Sequence, residues 1–251
     1  MKKNLLTFCA LFFLLPGCAY VEPLVQDFNI ISVADETKIG QQAASEVARE
    51  MVIIEDPLLS AKVRSIGNRL VQALPRRDFD YHFYVVKEDS PNAFTIPGGS
   101  IYVHTGLLKF VEDDNELAGV MAHEIAHAFA RHPVKGISRA YGAQYLSSLL
   151  FPGNQSQLKA FALKLTQGGL LTRYGREDEL QADEIGYYLL KPAGFQTDGL
   201  LRFFGKLQNL ESRGFSIPFL SSHPPTPERI ARLQALERNS SYQPVLRRTN
   251  Y

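Results

Sequence analysis

Two histidines four residues apart, with a glutamate beside the first, form the run His123-Glu124-Ile125-Ala126-His127. On a helix, positions four apart share a face, so both imidazoles can converge on one metal ion. Glu124 falls beside them and can take a proton from an attacking water without ligating the metal. Two neutral nitrogen donors on a rigid helix suit Zn²⁺, which acidifies water and polarises a carbonyl. A third ligand is needed, and Glu179 is the candidate that stands out. In Glu179-Leu180-Gln181-Ala182-Asp183 the two carboxylates are again four apart. If Glu179 completes a two-His, one-carboxylate site, Asp183 can accept the outer N–H of a ligand imidazole and aim its ring. Gly186, one further turn along, would let the two helices approach closely. Glu177, Asp178 and Glu184 read as carboxylates on a solvated face. His82, His104 and His132 read as structural or exposed.

The elements that must carry these residues follow from periodicity. Asp113 with Glu116 fits a capping pattern for the helix bearing the histidines, expected over 114–132. Before it, Ile39, Ala43, Val47 and Met51 mark a helix over 36–51. Asp56-Pro57 opens a second one with an apolar stripe of Leu58, Val63, Ile66, Leu70 and Leu74, which Pro75 stops. Tyr81 to Lys87 is aromatic and β-branched, hence a strand. Ala93 to Ile96 and Ser100 to His104 are two more around the turn Pro97-Gly98-Gly99. Further helices are expected near 106–112, 135–150, 156–170, 177–191, 197–212 and 226–238. The fold class is therefore α+β, a small sheet beside a mostly helical body.

The chain has 251 residues, 45% hydrophobic and 21% charged, with a formal net charge of +1. That is enough chain for a real core, and with no long basic or acidic run nucleic acid is not an expected partner. The N-terminus has another purpose. Lys2 and Lys3 precede an apolar run, Leu5 to Leu15, too short to span a bilayer but right for a secretory signal. Leu15-Pro16-Gly17-Cys18 resembles the lipobox of bacterial lipoproteins, which implies cleavage before Cys18 and lipidation of its thiol. Residues 1–17 are thus expected to be a signal peptide, 18–35 a lipidated tether and 36–251 the domain. The only two cysteines, Cys9 and Cys18, leave the mature domain without thiol or disulfide. Setting Lys2 and Lys3 aside takes the 27 basic residues to 25, against 26 acidic. Ala19 rather than Asp after Cys18 favours, by resemblance, anchorage to the outer membrane facing the periplasm.

His-Glu-Ile-Ala-His followed by the Glu179 to Asp183 motif resembles the HtpX-like and CAAX-prenyl-protease-like family of gluzincin zinc metallopeptidases, in its soluble periplasmic lipoprotein branch. The resemblance runs from the strand near Asn92 through His223. It implies a zincin-type domain with one Zn²⁺ held by His123, His127 and Glu179, and with Glu124 as catalytic base. Asn92 to Val103 resembles the family's strand bordering the active-site cleft, an edge to which an extended peptide can add. Asn92 and Ala93 are the expected substrate contacts. His223-Pro224 with Arg229 resembles the family's H-P-x-x-x-x-R segment. It implies that His223 stabilises the oxyanion or occupies the open coordination position in a latent form. Arg229 is expected to order this loop or pair with a carboxylate near the site.

The expected activity is cleavage of unfolded or misassembled envelope polypeptides. A metal-containing chaperone or assembly factor with little turnover is the alternative. An intramembrane protease is disfavoured, since no apolar run near twenty residues follows the signal. The apolar stretch 145–171, broken by Pro152-Gly153-Asn154, is expected to be either a flap over the cleft or ordinary core helix.

Overall fold

The computed structural model describes residues 31–142, 174–215 and 218–239, with Ser148, Asn154, Ser156, Gln157 and Ala160 between them. The expected signal, Cys18 and nearly all of the expected flap lie outside the described residues.

The first helix, α1 (Val33–Glu50), starts three residues before the expected 36. Ser32 Oγ accepts the Asp35 N–H at 3.1 Å, a local cap that fixes the start. The strand β1 (Ile53–Ile54) was not expected, being too short to show periodicity. Helix α2 (Pro57–Gln72) opens as Asp56-Pro57 predicts, with Asp56 accepting the N–H of Leu58 and Leu59. Leu58 is a correction: at 82% exposure it lies off the buried stripe of Val63, Ile66, Leu70 and Leu74.

Three strands, β2 (His82–Val86), β3 (Ala93–Ile96) and β4 (Ser100–His104), complete a sheet of order β1-β2-β4-β3. β2 and β4 are parallel, and β3 turns antiparallel onto β4 with Ala93 opposite Val103 and Ile96 opposite Ser100. Gly98 and Gly99, at φ of 80° and 90°, make that reversal. Successive side chains alternate faces. Phe83, Val85, Ala93, Ile101 and Val103 enter the core formed with α2. Tyr84, Val86, Phe94, Ile96 and Tyr102 pack instead with Ile39, Ala43 and Val47 of α1. β3 is left at the sheet's edge.

After α3 (Thr105–Phe110) comes α4 (Asp114–Phe129), which carries the paired histidines. Asp113 Oδ1 accepts the N–H of Asn115 and Glu116, while Glu116 reaches back to the N–H of Glu112. From Glu116 to Phe129 every residue of α4 is buried. A helix apolar nearly all round must lie inside its domain, and α4 does so, packed against β3, α2, α6 (Arg176–Leu190) and α7 (Gly199–Ser212). It stops short of the expected 132 because Arg131 turns left-handed, with φ of 58°. Helix α5 (His132–Tyr141) follows at once, with Pro133 in its first turn. The left-handed turn costs Arg131 roughly 1–2 kcal/mol. Its buried pair with Glu36 (2.6 Å) and its hydrogen bond to the Ile31 carbonyl (2.5 Å) hold it there. The chain closes with α8 (Pro218–Ser222) and α9 (Pro227–Arg238). The class is α+β and mostly helical. Among the described residues no helix is long and apolar enough to cross a membrane.

Gly186 acts as its spacing predicts. A Cβ there would stand 3.1 Å from the Ala122 carbonyl carbon and from the His123 amide nitrogen. Both are helix backbone, so α6 would have to move off α4. Gly186→Ala gains about 1 kcal/mol of helix propensity but overpacks by about 1–3 kcal/mol. The expected result is a small net loss of stability in urea unfolding; a raised midpoint would show that the two helices have slack.

Candidate active site

Helix α4 presents His123, Glu124 and His127, and α6 presents Glu179 and Asp183 across the Gly186 contact. The His123 and His127 Nε2 atoms face each other at 3.0 Å. Glu179 Oε2 lies 3.4 Å from the first and Oε1 3.5 Å from the second. His223, at the end of α8, places Nδ1 2.9 Å from Glu179 Oε1 and 3.2 Å from His123 Nε2. One donor atom from each of these four buried residues falls within 4.8 Å of all the others. Three imidazole nitrogens and a carboxylate oxygen make a donor set for a borderline divalent cation, not for an all-oxygen one such as Mg²⁺. The fit is good: nothing but a cation or a shared proton reconciles two buried nitrogens aimed at each other so closely.

The surrounding contacts are equally specific. His123 Nδ1 lies 3.0 Å from Asp183 Oδ1, on the side away from the donor cluster. Burial alone would depress the His123 pKa, but Asp183 and Glu179 outweigh it and lift the value to about 9. Arg229, almost fully buried on α9, grips Asp183 with two hydrogen bonds of 2.7 Å. It also reaches Glu179 Oε2 at 2.7 Å and the Pro224 carbonyl at 3.0 Å. It therefore does both things expected of it, tying the His223-Pro224 loop to the carboxylates of α6. Burial pushes Asp183 upward, yet Arg229 and then His123 bring it below the ordinary aspartate value.

Glu124 is the exception to this pairing. Both its carboxylate oxygens are buried and, among the described residues, neither has a hydrogen-bond partner. His223 Nε2 is 3.4 Å away, long for such a bond. Burial raises the Glu124 pKa, opposed mainly by His223. A buried carboxylate that no described residue bonds is costly, and such groups cluster at functional sites.

Asn92 and Ala93 stand at the start of edge strand β3, apart from this cluster in sequence and both buried. The Asn92 carbonyl accepts from His104 N–H (3.0 Å), which ties residue 92 into β4 and, by antiparallel alternation, turns the main chain of Ala93 and Thr95 away from β4, where both residues are fully buried. Ala93 N–H is taken by Asn92 Oδ1 at 3.0 Å.

Of three residues around the cluster, His132 is structural as expected, Asp178 departs from its expected solvated face, and Tyr174 carried no expectation. His132 is fully buried, with Nδ1 2.9 Å from His127 Nδ1 and Nε2 2.8 Å from Gln181 Oε1. Asp178 is buried too, accepting from Gly175 N–H (3.2 Å) and pairing with Arg139, because α6 turns that face inward against α5. Tyr174 has no signal in the sequence; its ring stacks on His127 with centroids 3.8 Å apart. Glu177 and Glu184 do lie on the outer face, Glu184 pairing with Arg232. His82 is exposed, and His104 is buried against Ser90.

Known proteins share this arrangement of sequence. A family model, peptidase family M48, matches residues 57–237, from the start of α2 almost to the end of α9. The chain is 29% identical over 231 residues to the beta-barrel assembly-enhancing protease of Escherichia coli K12, an overlap of 87% of this chain and 46% of that protein. It is 29% identical over 214 residues to the mitochondrial metalloendopeptidase OMA1 of Schizosaccharomyces pombe, covering 82% of this chain and 62% of the relative. To the metalloprotease YcaL of E. coli K12 it is 26% identical over 208 residues, 81% and 80% of the two chains. It thus spans about half the length of the first of these relatives. The matched region takes in every residue of the four-donor cluster and the arginine behind it, and the chain belongs to peptidase family M48.

Proposed function

We propose that this chain is a zinc-dependent endopeptidase. It would act on unfolded or misassembled envelope polypeptides at the periplasmic face of the outer membrane, to which a lipid on Cys18 would anchor it. The observation that carries the reading is the pairing of a four-donor cluster with Glu124, a buried carboxylate that no described residue bonds.

His123, His127 and Glu179 would hold the ion, with Asp183 aiming the His123 ring. When bound, a divalent cation supplies Lewis acidity, polarising the scissile carbonyl and acidifying the attacking water. Glu124 takes the proton from that water and returns it to the leaving amine, a role its raised pKa suits. His223 donates a hydrogen bond to the developing oxyanion. Because its Nδ1 already sits among the donors, it also fits the fourth position in a resting enzyme. An extended peptide would add along edge strand β3, near Asn92 and Ala93, through main-chain groups, which favours unfolded segments over particular side chains. The beta-barrel assembly-enhancing protease, similar over most of this chain, supports an envelope role.

The purified protein is expected to carry close to one zinc per chain and to cleave casein. A strong chelator should abolish cleavage and Zn²⁺ should restore it, with Mg²⁺ failing to do so. A protein that holds zinc yet turns over no unfolded substrate would favour an assembly factor; one that holds no metal would end the proposal.

A further inference from the structure

We propose that His132 is a positioning residue: by accepting a hydrogen bond from His127 Nδ1–H it holds that imidazole in the one tautomer that leaves Nε2 free to bind a metal. The inference rests on the reading of His127 as a ligand.

The arrangement begins with the break between α4 and α5. Arg131 is the one non-glycine residue at positive φ among those described, and this turn folds His132 back onto the last turn of α4. There its Nδ1 stands 2.9 Å from His127 Nδ1. Two imidazole nitrogens at that distance share a single proton, so one ring donates and the other accepts. Which way the bond runs is set at the far side of His132. Its Nε2 lies 2.8 Å from Gln181 Oε1, an oxygen that can only accept. Nε2 of His132 therefore carries hydrogen, and in a neutral imidazole Nδ1 is then bare. Asp178 Oδ1, 3.7 Å from the same Nε2, is too distant to bond it but favours a hydrogen on that side. The proton between the rings must then belong to His127 Nδ1. The Nε2 of His127, facing His123 and Glu179, is left with its lone pair.

Tyr174 and His132 divide the work of fixing this ring. Stacking with an interplanar angle of 20° sets the plane of His127, but a stack does not distinguish the two tautomers. The bond to His132 does. His123 is served by an anion, Asp183, while His127 is served by a neutral imidazole backed by an amide. Gln181 sits midway between Glu179 and Asp183, so one turn of α6 supplies a ligand, a carboxylate for one histidine and an amide for the other. Outer partners of metal-bound histidines affect affinity about 10–100-fold.

The test uses the full chain as wild type, His132→Phe and His132→Asn. Asn places an acceptor oxygen near the position of the imidazole Nδ1, and Phe places none. Zinc affinity is measured by competition with a chelating indicator, and secondary structure and urea unfolding are followed in the metal-free proteins. Long-range proton–nitrogen NMR reads the imidazole tautomers of the metal-free wild type. The expected results are His127 as the Nδ1–H tautomer, zinc binding about 10–100-fold weaker in H132F, and recovery to within about threefold in H132N. Unchanged affinity in folded H132F would overturn the inference, as would an Nε2–H tautomer for His127 in the wild type. If H132F does not fold, the wild-type spectrum decides: an Nδ1–H tautomer for His127 supports the relay and an Nε2–H tautomer refutes it, as does a folded H132N that loses affinity about tenfold or more. Zinc binding indifferent to His132 sinks only this inference, whereas a wild type that binds no zinc sinks the metal-site reading beneath it.

Discussion

Glu124→Gln is expected to lower casein cleavage about 10²–10⁴-fold while zinc content and fold are kept. The substitution changes one atom of a side chain that no described residue bonds, so the packing of α4 is untouched. What it removes is the capacity to take a proton. Burial holds the Glu124 pKa above that of an ordinary glutamate, which makes the carboxylate a stronger base than one in water. An amide at the same place is no base at all. The loss corresponds to about 3–5 kcal/mol of transition-state stabilisation. Stability should move the other way. A buried carboxylate without partners is unfavourable in the folded state, so E124Q should unfold at the same urea concentration as wild type or a higher one. Loss of activity with retained zinc and undiminished stability separates catalysis from structure. Cleavage within a few-fold of wild type would remove Glu124 from the mechanism.

How much of this site was legible before the fold was known depends on how local each signal is. His123 and His127, like Glu179 and Asp183, are pairs four apart, and a helix converts that spacing directly into a shared face. Gly186 one turn on reported the helix contact for the same reason. The sequence marks His132 as structural or exposed but does not give its place, which depends on the left-handed Arg131. Positive φ is usually announced by Gly or Asn; here a non-local pair, Glu36 with Arg131, imposes it on a residue that gives no sign. Asp178 was placed on the solvated face because spacing along α6 does not say that α5 returns over it. Strand β1 was missed since two residues have no period and its identity comes from pairing with β2.

The contacts around Arg131 and Arg229 share a logic. Each is a buried guanidinium that joins distant parts of the chain behind the donor cluster. Arg131 links Glu36 and the Ile31 carbonyl, where the described chain begins, to the turn before His132. Arg229 links α9 and the Pro224 carbonyl to Asp183 and Glu179. The fork of an arginine suits this use, since it stays charged when buried and satisfies several oxygens at fixed angles. Positions of the clustered side chains are thereby set from outside α4 and α6, by segments that supply none of the four except His223.

Arg229→Ala should therefore be among the most damaging substitutions in the metal-free protein, lowering its stability by about 3–5 kcal/mol. The cost is more than the lost bonds. Asp183 and Glu179 would keep their burial and lose the cation that offsets it, and a cavity would open beside Phe204, over whose ring the guanidinium now lies at 4.8 Å. In a chain of this size each kcal/mol moves the melting temperature by about 2–4 °C, so the shift is easily measured. Arg229→Lys should fall between, keeping a charge but not the two-bond grip on Asp183. The pH dependence gives the assignment a sign. In wild type the Asp183 pKa is depressed, so its contribution is complete above the ordinary aspartate value near 3.9 and fades as pH falls through the depressed one. In the alanine variant only His123 is left to oppose the burial of Asp183, so the same pKa rises and protonating Asp183 relieves part of the penalty as pH falls toward the aspartate range. The gap between wild type and variant should thus be widest at neutral pH and narrow in acid. A gap below about 1 kcal/mol at neutral pH, or one that widens in acid, would show that Arg229 is not what neutralises these carboxylates.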